Sequence, residues 1–151
     1  MILYLDTSSL LKLYVNEHYS DLVHHWTRQV DVLCTSRVAF AEAMAALSRR
    51  WRQGDVDDIG FQRFRRAFAN EWQDFAVVNV DEVRAGELAI KHGLRGFDAI
   101  HLAAALEIAG GARGVRFFFT SFDLQLNRAA VAERFSVLDQ NATTDALRPS
   151  Q

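Results

Sequence analysis

A single cysteine, Cys34, in 151 residues permits no internal disulfide, so packing must hold the chain together and a reducing cytosol is the compartment it suits. Cys34 itself sits in the apolar run DVLCTS and reads as a small buried side chain rather than a nucleophile. No stretch approaches the about 18 uncharged apolar residues that a membrane helix needs. MILYLD reaches a charge after five positions, too soon for a signal-peptide core. A soluble, cytoplasmic protein without a membrane partner is therefore expected. Nor is there an excess of positive charge. The formal net charge is −2, which gives no global attraction to nucleic acid, so polyanion binding would have to come from a local basic patch or a metal. Zinc signatures are missing too: there is no HExxH or CxxC, and His24 and His25 are merely adjacent.

What is present is ample apolar material, 50% of the residues, enough for the core of one domain of this size. Short continuous apolar runs alternate with helical patterns. MILYLD, VLCTS, FAVVNV, VRFFFTS and FSVLD read as strands. TSSLLKLYVNEH, SDLVHHWTRQV, RVAFAEAMAALSRRW, DVDDIGFQRFRRAFANEW, DEVRAGELAIKHG, GFDAIHLAAALEIAGG and FDLQLNRAAVAER read as helices, several closed by glycine. Strands that are apolar throughout and alternate with helices predict a parallel sheet covered on both faces. No repeat or linker is visible. Residues 1–139 are taken as one domain and 140–151, which carry the only proline, as a polar tail expected to fray.

In such folds ligands bind beyond the carboxyl ends of the strands, and four acids stand out. Asp6 follows the first strand and Asp123 the fourth, where each could simply cap the next helix. Asp98 opens GFDAIHLAAAL, where capping is again the plain explanation. Glu42 resists it. In VAFAEAMAAL it is the only polar side chain between Arg37 and Ser48, it lies mid-helix, and no basic residue stands at helical spacing. An unpaired buried carboxylate costs several kcal/mol or protonates, so Glu42 is expected to face something positive. If the acids converge, a cation must offset their repulsion, and hard oxygen donors suit Mg²⁺ or Mn²⁺.

Asp6 in MILYLDTSSLLKLY, Glu42 in FAEAMAAL, Asp98 in GFDAIHLAAAL and Asp123 in FFFTSFDLQL together resemble, in order and local context, the four acids of PIN-domain ribonucleases, and in particular the VapC-type toxins of toxin–antitoxin pairs. The resemblance runs over about residues 1 to 138. It implies a three-layer α/β/α sandwich with a central five-stranded parallel sheet, a Mg²⁺- or Mn²⁺-dependent endoribonuclease, a homodimer and a small cognate antitoxin. It assigns Asp6, Glu42, Asp98 and Asp123 to catalysis and metal binding, with Ser8 and Ser121 supporting them by hydrogen bonds. TSFDLQLN offers Asp123 alone where some relatives carry a further acid, which leaves one ion or two open. In the chemistry implied, the carboxylates hold the metal and orient water, and no serine or histidine nucleophile is needed.

RNA contacts have one visible source. Arg49, Arg50, Arg52, Arg63, Arg65 and Arg66 lie on consecutive helices among Trp51, Phe61, Phe64 and Phe68, a pattern of phosphate contacts and stacking partners. For most of them a solvated helix face, with aromatics that belong to the core, is the preferred explanation. Arg37 and Arg95 lie nearer the acids. His101, one turn after Asp98, reads as a packed histidine. The main alternative keeps the fold and drops the chemistry: a catalytically inactive binding or scaffold module whose acids only cap helices.

Overall fold

The computed structural model describes residues 1–143 and 145–147. Five strands, β1 (Ile2–Leu5), β2 (Val32–Ser36), β3 (Ala76–Val78), β4 (Phe117–Thr120) and β5 (Ser136–Leu138), pair in the order β3-β2-β1-β4-β5. Every pairing is parallel. Seven α-helices occupy the described residues: α1 (Thr7–Leu11), α2 (Ser20–Thr27), α3 (Val38–Gln53), α4 (Asp58–Glu71), α5 (Glu82–His92), α6 (Gly96–Gly111) and α7 (Leu124–Ala132).

Two cores, one on each face of the sheet, make this a three-layer α/β/α sandwich. Alternate residues of a strand point to opposite faces. Leu3 and Leu5 of β1 join Leu10, Val23, Trp26, Leu47 and Phe68, from α1 to α4. Tyr4, between them, joins Leu88, Leu102 and Leu126, from α5 to α7. Phe118 and Phe119 of β4 divide in the same way. Because both faces are covered, the inner strands are mostly apolar, and their polar residues, Thr35, Ser36 and Thr120, fall at the carboxyl ends. On α6 small residues allow a close approach: Ala99, Ala103, Ala104 and Ala105 are buried beside Leu102.

The expected elements all occur, most of them a few residues shorter. The stretch TSSLLKLYVNEH is helical only over Thr7–Leu11. Past that point a tighter link, from Lys12 N–H to Ser9 O at 3.2 Å, turns the chain. Glu17 and Ser20 then fix the loop, with Glu17 N–H donating to Ser20 Oγ and Ser20 Oγ to Val15 O, each at 3.0 Å. The third strand is shortened to Ala76–Val78: a 3-10 turn over Trp72–Asp74 precedes it, and pairing ends before Asn79.

The tail departs further from expectation. Leu147 is 1% exposed in the α1–α4 core, with Ala142 and Ala146 packed against it. One leucine and two alanines thus dock a segment whose polar composition suggested fraying. Residue 144 and residues 148–151 lie outside the described set, so that part of the expectation is not reached. Among the described residues no helix is long and apolar enough to cross a membrane.

The strand order places a topological switch between β1 and β4. The chain leaves β1 towards β2 and β3, then crosses back to β4 and β5. Crevices at such switch points, beyond the carboxyl ends of the strands, are where parallel α/β sheets bind ligands.

Candidate active site

Asp6 is the first residue past β1, and its N–H donates to Thr120 O at 3.2 Å, which anchors it to the end of β4. Oδ1 caps α1 by accepting from Ser9 N–H at 2.8 Å. Ser8 Oγ donates across both oxygens at 2.8 and 2.9 Å. Ser121 Oγ donates to Oδ2 at 2.7 Å. A carboxylate is acceptor-only, and three donors fix this one in a site where it is 5% exposed.

Ser121 continues the chain of bonds. Its Oγ accepts from Asp123 N–H at 3.0 Å, and its carbonyl accepts from Asn127 Nδ2 at 3.0 Å. Asp123 divides its oxygens as Asp6 does. Oδ1 caps α7 by accepting from Gln125 N–H and Leu126 N–H, each at 2.9 Å. Oδ2 accepts from Arg95 Nη2 at 3.0 Å. Arg95 in turn donates through Nε to Asp98 Oδ2 at 2.7 Å. Asp98 first, and Asp123 after it, raise the guanidinium further above its ordinary high pKa. Asp98 makes no cap: the helix begins at Gly96, and the capping position is Arg95, whose side chain makes no capping bond. The acid at the start of this apolar helix is therefore held by a cation and not by orphan backbone amides.

Glu42, expected to face a positive group, instead meets hydrogen-bond donors: a threonine and a histidine from across the sheet end. Its Oε2 accepts from Thr7 Oγ1 at 2.7 Å and lies 2.9 Å from His101 Nε2. Nδ1 of the same imidazole lies 2.8 Å from Tyr4 OH. A neutral imidazole protonated on Nε2 meets both neighbours: it donates to Glu42 and accepts from the tyrosine. Burial pushes the Tyr4 hydroxyl well up from its ordinary pKa and keeps its proton available for that bond. Burial would raise Glu42 as well, but the hydrogen bonds of His101 and Thr7 work against it, and the carboxyl lies below its usual range. Glu42 is thus ionised at neutral pH.

The six residues singled out from the sequence therefore lie along one connected run of contacts. Asp6, Ser8, Ser121, Asp123 and Asp98 are strung together by hydrogen bonds, with Arg95 as the last link. Glu42 joins through Thr7, the residue beside Asp6. The carboxylates do not close into a finished cage: among the described residues no three His, Cys, Asp or Glu side chains are grouped to hold a metal ion as they stand. The donor set nevertheless suits a hard divalent cation, being all oxygen. A cation already stands in, the Arg95 guanidinium shared by Asp98 and Asp123.

Sequence reading missed Thr7, His101, Tyr4, Asn127 and the role of Arg95. The signal for His101 was the polarity of Glu42, which demanded a partner without naming it. From Glu42 a groove of about 540 Å³ runs between α3 and the start of α6, lined by Val38, Ala41, Ala45, Ala46, Arg49 and Phe97 among others. Phe97 is 56% exposed.

The other basic residues sort by direction. Arg37 turns to Asn79 at 2.8 Å, and Arg50 pairs with Glu17 at 2.6 Å. Phe64 and Phe68 are core, whereas Trp51 stacks on Phe61 and is 39% exposed.

Comparison with known proteins bears on this arrangement. The PIN domain family model matches residues 3–132. Ribonuclease VapC45 and Ribonuclease VapC49, from two strains of Mycobacterium tuberculosis, are each 34% identical over 110 residues, covering 71% of this chain and 76% of the relative. Among solved structures, PAE2754 from Pyrobaculum aerophilum superposes with a TM-score of 0.66 at 21% identity, over 92% of this chain and 83% of that one. FitAcB from Neisseria gonorrhoeae gives 0.65 at 16%, over 91% and 96%. VapBC2 from Rickettsia felis, solved bound to a DNA fragment from its promoter, gives 0.59 at 10%, over 93% and 100%.

Proposed function

This chain belongs to the PIN-domain family, and we propose that it is a divalent-metal-dependent endoribonuclease, the toxin of a toxin–antitoxin pair. The observation that carries the reading is the string of bonds that gathers Asp6, Asp98 and Asp123, with Glu42 one residue away through Thr7, at the switch point of the sheet. Ribonuclease names on relatives at 34% identity support the reaction class.

Asp6, Glu42, Asp98 and Asp123 would hold Mg²⁺ or Mn²⁺. Such an ion, when bound, lowers the pKa of a coordinated water and polarises a phosphate oxygen. The chain's own residues do the rest. Ser8, Ser121 and the Ser9 amide orient the Asp6 carboxylate, while Thr7 and His101 hold Glu42 ionised and aimed. Outer partners of this kind fix ligand geometry. The groove from Glu42 past Phe97 to Arg49 gives single-stranded RNA a stacking face and a phosphate contact. A cognate antitoxin and a second copy of the chain are the proposed protein partners, and the cytoplasm the proposed compartment.

The alternative, an inactive binding module, draws on the fact that Asp6 and Asp123 do cap helices. Each cap uses Oδ1 and leaves Oδ2 to the cluster, and Asp98 and Glu42 cap nothing, which favours the enzyme. The test is incubation with single-stranded RNA in Mn²⁺, in EDTA, and with the Asp6→Asn variant. Cleavage only by the unaltered chain in Mn²⁺ is expected; metal-independent cleavage, or none under any condition, would overturn the proposal.

A further inference from the structure

We infer that Arg95 is the resident counter-ion of Asp98 and Asp123, and that loading the site with a divalent ion requires its guanidinium to be exchanged out. The inference rests on the reading of the four acids as a metal site, and it assigns to this chain's own side chain the control of metal uptake.

Three features point to exchange rather than permanent structure. The contacts fall on the oxygens a metal would need. Asp123 Oδ1 is committed to the α7 cap by two amides, so Oδ2 is what remains for a cation, and Arg95 Nη2 sits on it at 3.0 Å. On Asp98 the oxygen taken is Oδ2, at 2.7 Å from Nε. The charge matters next. Asp6 and Glu42 are held by hydroxyls, an amide and an imidazole, whereas Arg95 is a full positive charge whose repulsion opposes a second cation on the same oxygen. Exposure then gives it a way out. The Arg95 side chain is 74% exposed, against 18% for Asp98 and 33% for Asp123, so it covers the acids from the solvent side and can swing outward. Exposed ion pairs are weak, which makes the exchange reversible. While in place, the guanidinium offsets the repulsion between two acids that the start of α6 and the start of α7 bring together.

The experiment is Mn²⁺ titration of the full chain by calorimetry, for the wild type, Arg95→Gln, Arg95→Lys and Asp98→Asn, with a manganese-soaked crystal of the wild type. Arg95→Gln is expected to bind Mn²⁺ about three- to tenfold more tightly, the scale set by exposed ion pairs. Arg95→Lys keeps the charge but lacks the planar fork that spans two carboxylates, and is expected to fall between the wild type and Arg95→Gln. Asp98→Asn is expected to bind weakly, and the soaked crystal to show Arg95 turned away from both acids. Equal affinity in Arg95→Gln and the wild type, or Arg95 still on both acids beside bound manganese, would overturn the exchange while leaving the metal site intact. Absence of Mn²⁺ binding in every form, Arg95→Gln included, would instead overturn the metal reading itself.

Discussion

Asp6 Oδ2 and Ser121 Oγ lie 2.7 Å apart, although 115 positions separate the two residues in sequence. The contact joins the ends of β1 and β4, the two strands that flank the switch point, and it links a helix-capping acid to the loop that leads to Asp123. Half of the site, Asp6 and Asp123, is thus built from cap positions past strand ends, whose geometry the backbone fixes.

Asp6→Asn keeps an oxygen for Ser9 N–H and so retains the α1 cap. Because Asp6 is buried and Asn replaces one acceptor with a donor facing the Ser8 and Ser121 hydroxyls, the variant is expected to lose about 1 kcal/mol, a few degrees in melting temperature. Its metal-dependent RNA cleavage is expected to fall more than about 100-fold, beyond what the loss of outer partners costs. Thermal denaturation beside a cleavage assay separates the two effects.

Ser121→Ala removes one of three donors from Asp6 and frees the Asp123 amide. Metal affinity is expected to drop about 10- to 100-fold, with secondary structure unchanged by circular dichroism. Ser121→Thr, which keeps a hydroxyl, is expected to recover most of the loss.

His101→Phe deprives Glu42 of its cross-sheet partner and Tyr4 of a hydrogen bond in a place where His101 is 2% exposed. A destabilisation of about 1–3 kcal/mol follows from leaving buried polar groups short of partners, measurable by urea denaturation. Without His101, the burial of Glu42 is less opposed and its carboxyl should titrate higher.

Glu17 supplies a pH test away from the acids. Burial raises its carboxyl, but hydrogen bonds and charge from Lys12 and Arg50 outweigh burial and set it below the usual glutamate range. A group whose folded pKa is depressed contributes stability above its unfolded pKa and loses it as pH falls through the folded value. Glu17→Gln should therefore be less stable than the wild type at neutral pH. The gap should close as pH drops below about 4.5, as chemical denaturation at a series of pH values would read.

Arg49 lies exposed at the far end of the groove that starts at Glu42. If it meets a phosphate, Arg49→Ala weakens RNA binding and lowers the slope of log affinity against log salt by about 0.7, the single-strand increment per contact. An unchanged slope would remove Arg49 from the RNA path.

Much of this was legible from residues alone, and the physics explains which parts were. Apolar runs such as MILYL and FFFT needed cover on both faces, which fixed a parallel sheet before any pairing was known. Glu42 was conspicuous because alanines surround it, and a partner exists, as a hydrogen-bond donor rather than the expected positive group. The identity of that partner was hidden, because 59 positions separate Glu42 from His101 and only the fold brings α3 and α6, from opposite layers, to the same end of the sheet. Thr7, Ser8 and Ser9 were indistinguishable as a run of hydroxyls; the turn into α1 sends Ser8 to Asp6, Thr7 to Glu42 and Ser9 to Thr120. Arg95 was ambiguous because a long side chain can point either way. Leu147 was overlooked because one apolar residue in a polar tail carries no period.

The pairing of Leu5 with Thr120 has a further consequence. Sliding β1 along β4 by one residue would carry Asp6 about 3.3 Å away and turn its neighbours to the opposite face. Asp6 and Ser121 can meet only once β1 and β4 have locked in this alignment, so whatever chemistry the acids support waits on the register of the central strands.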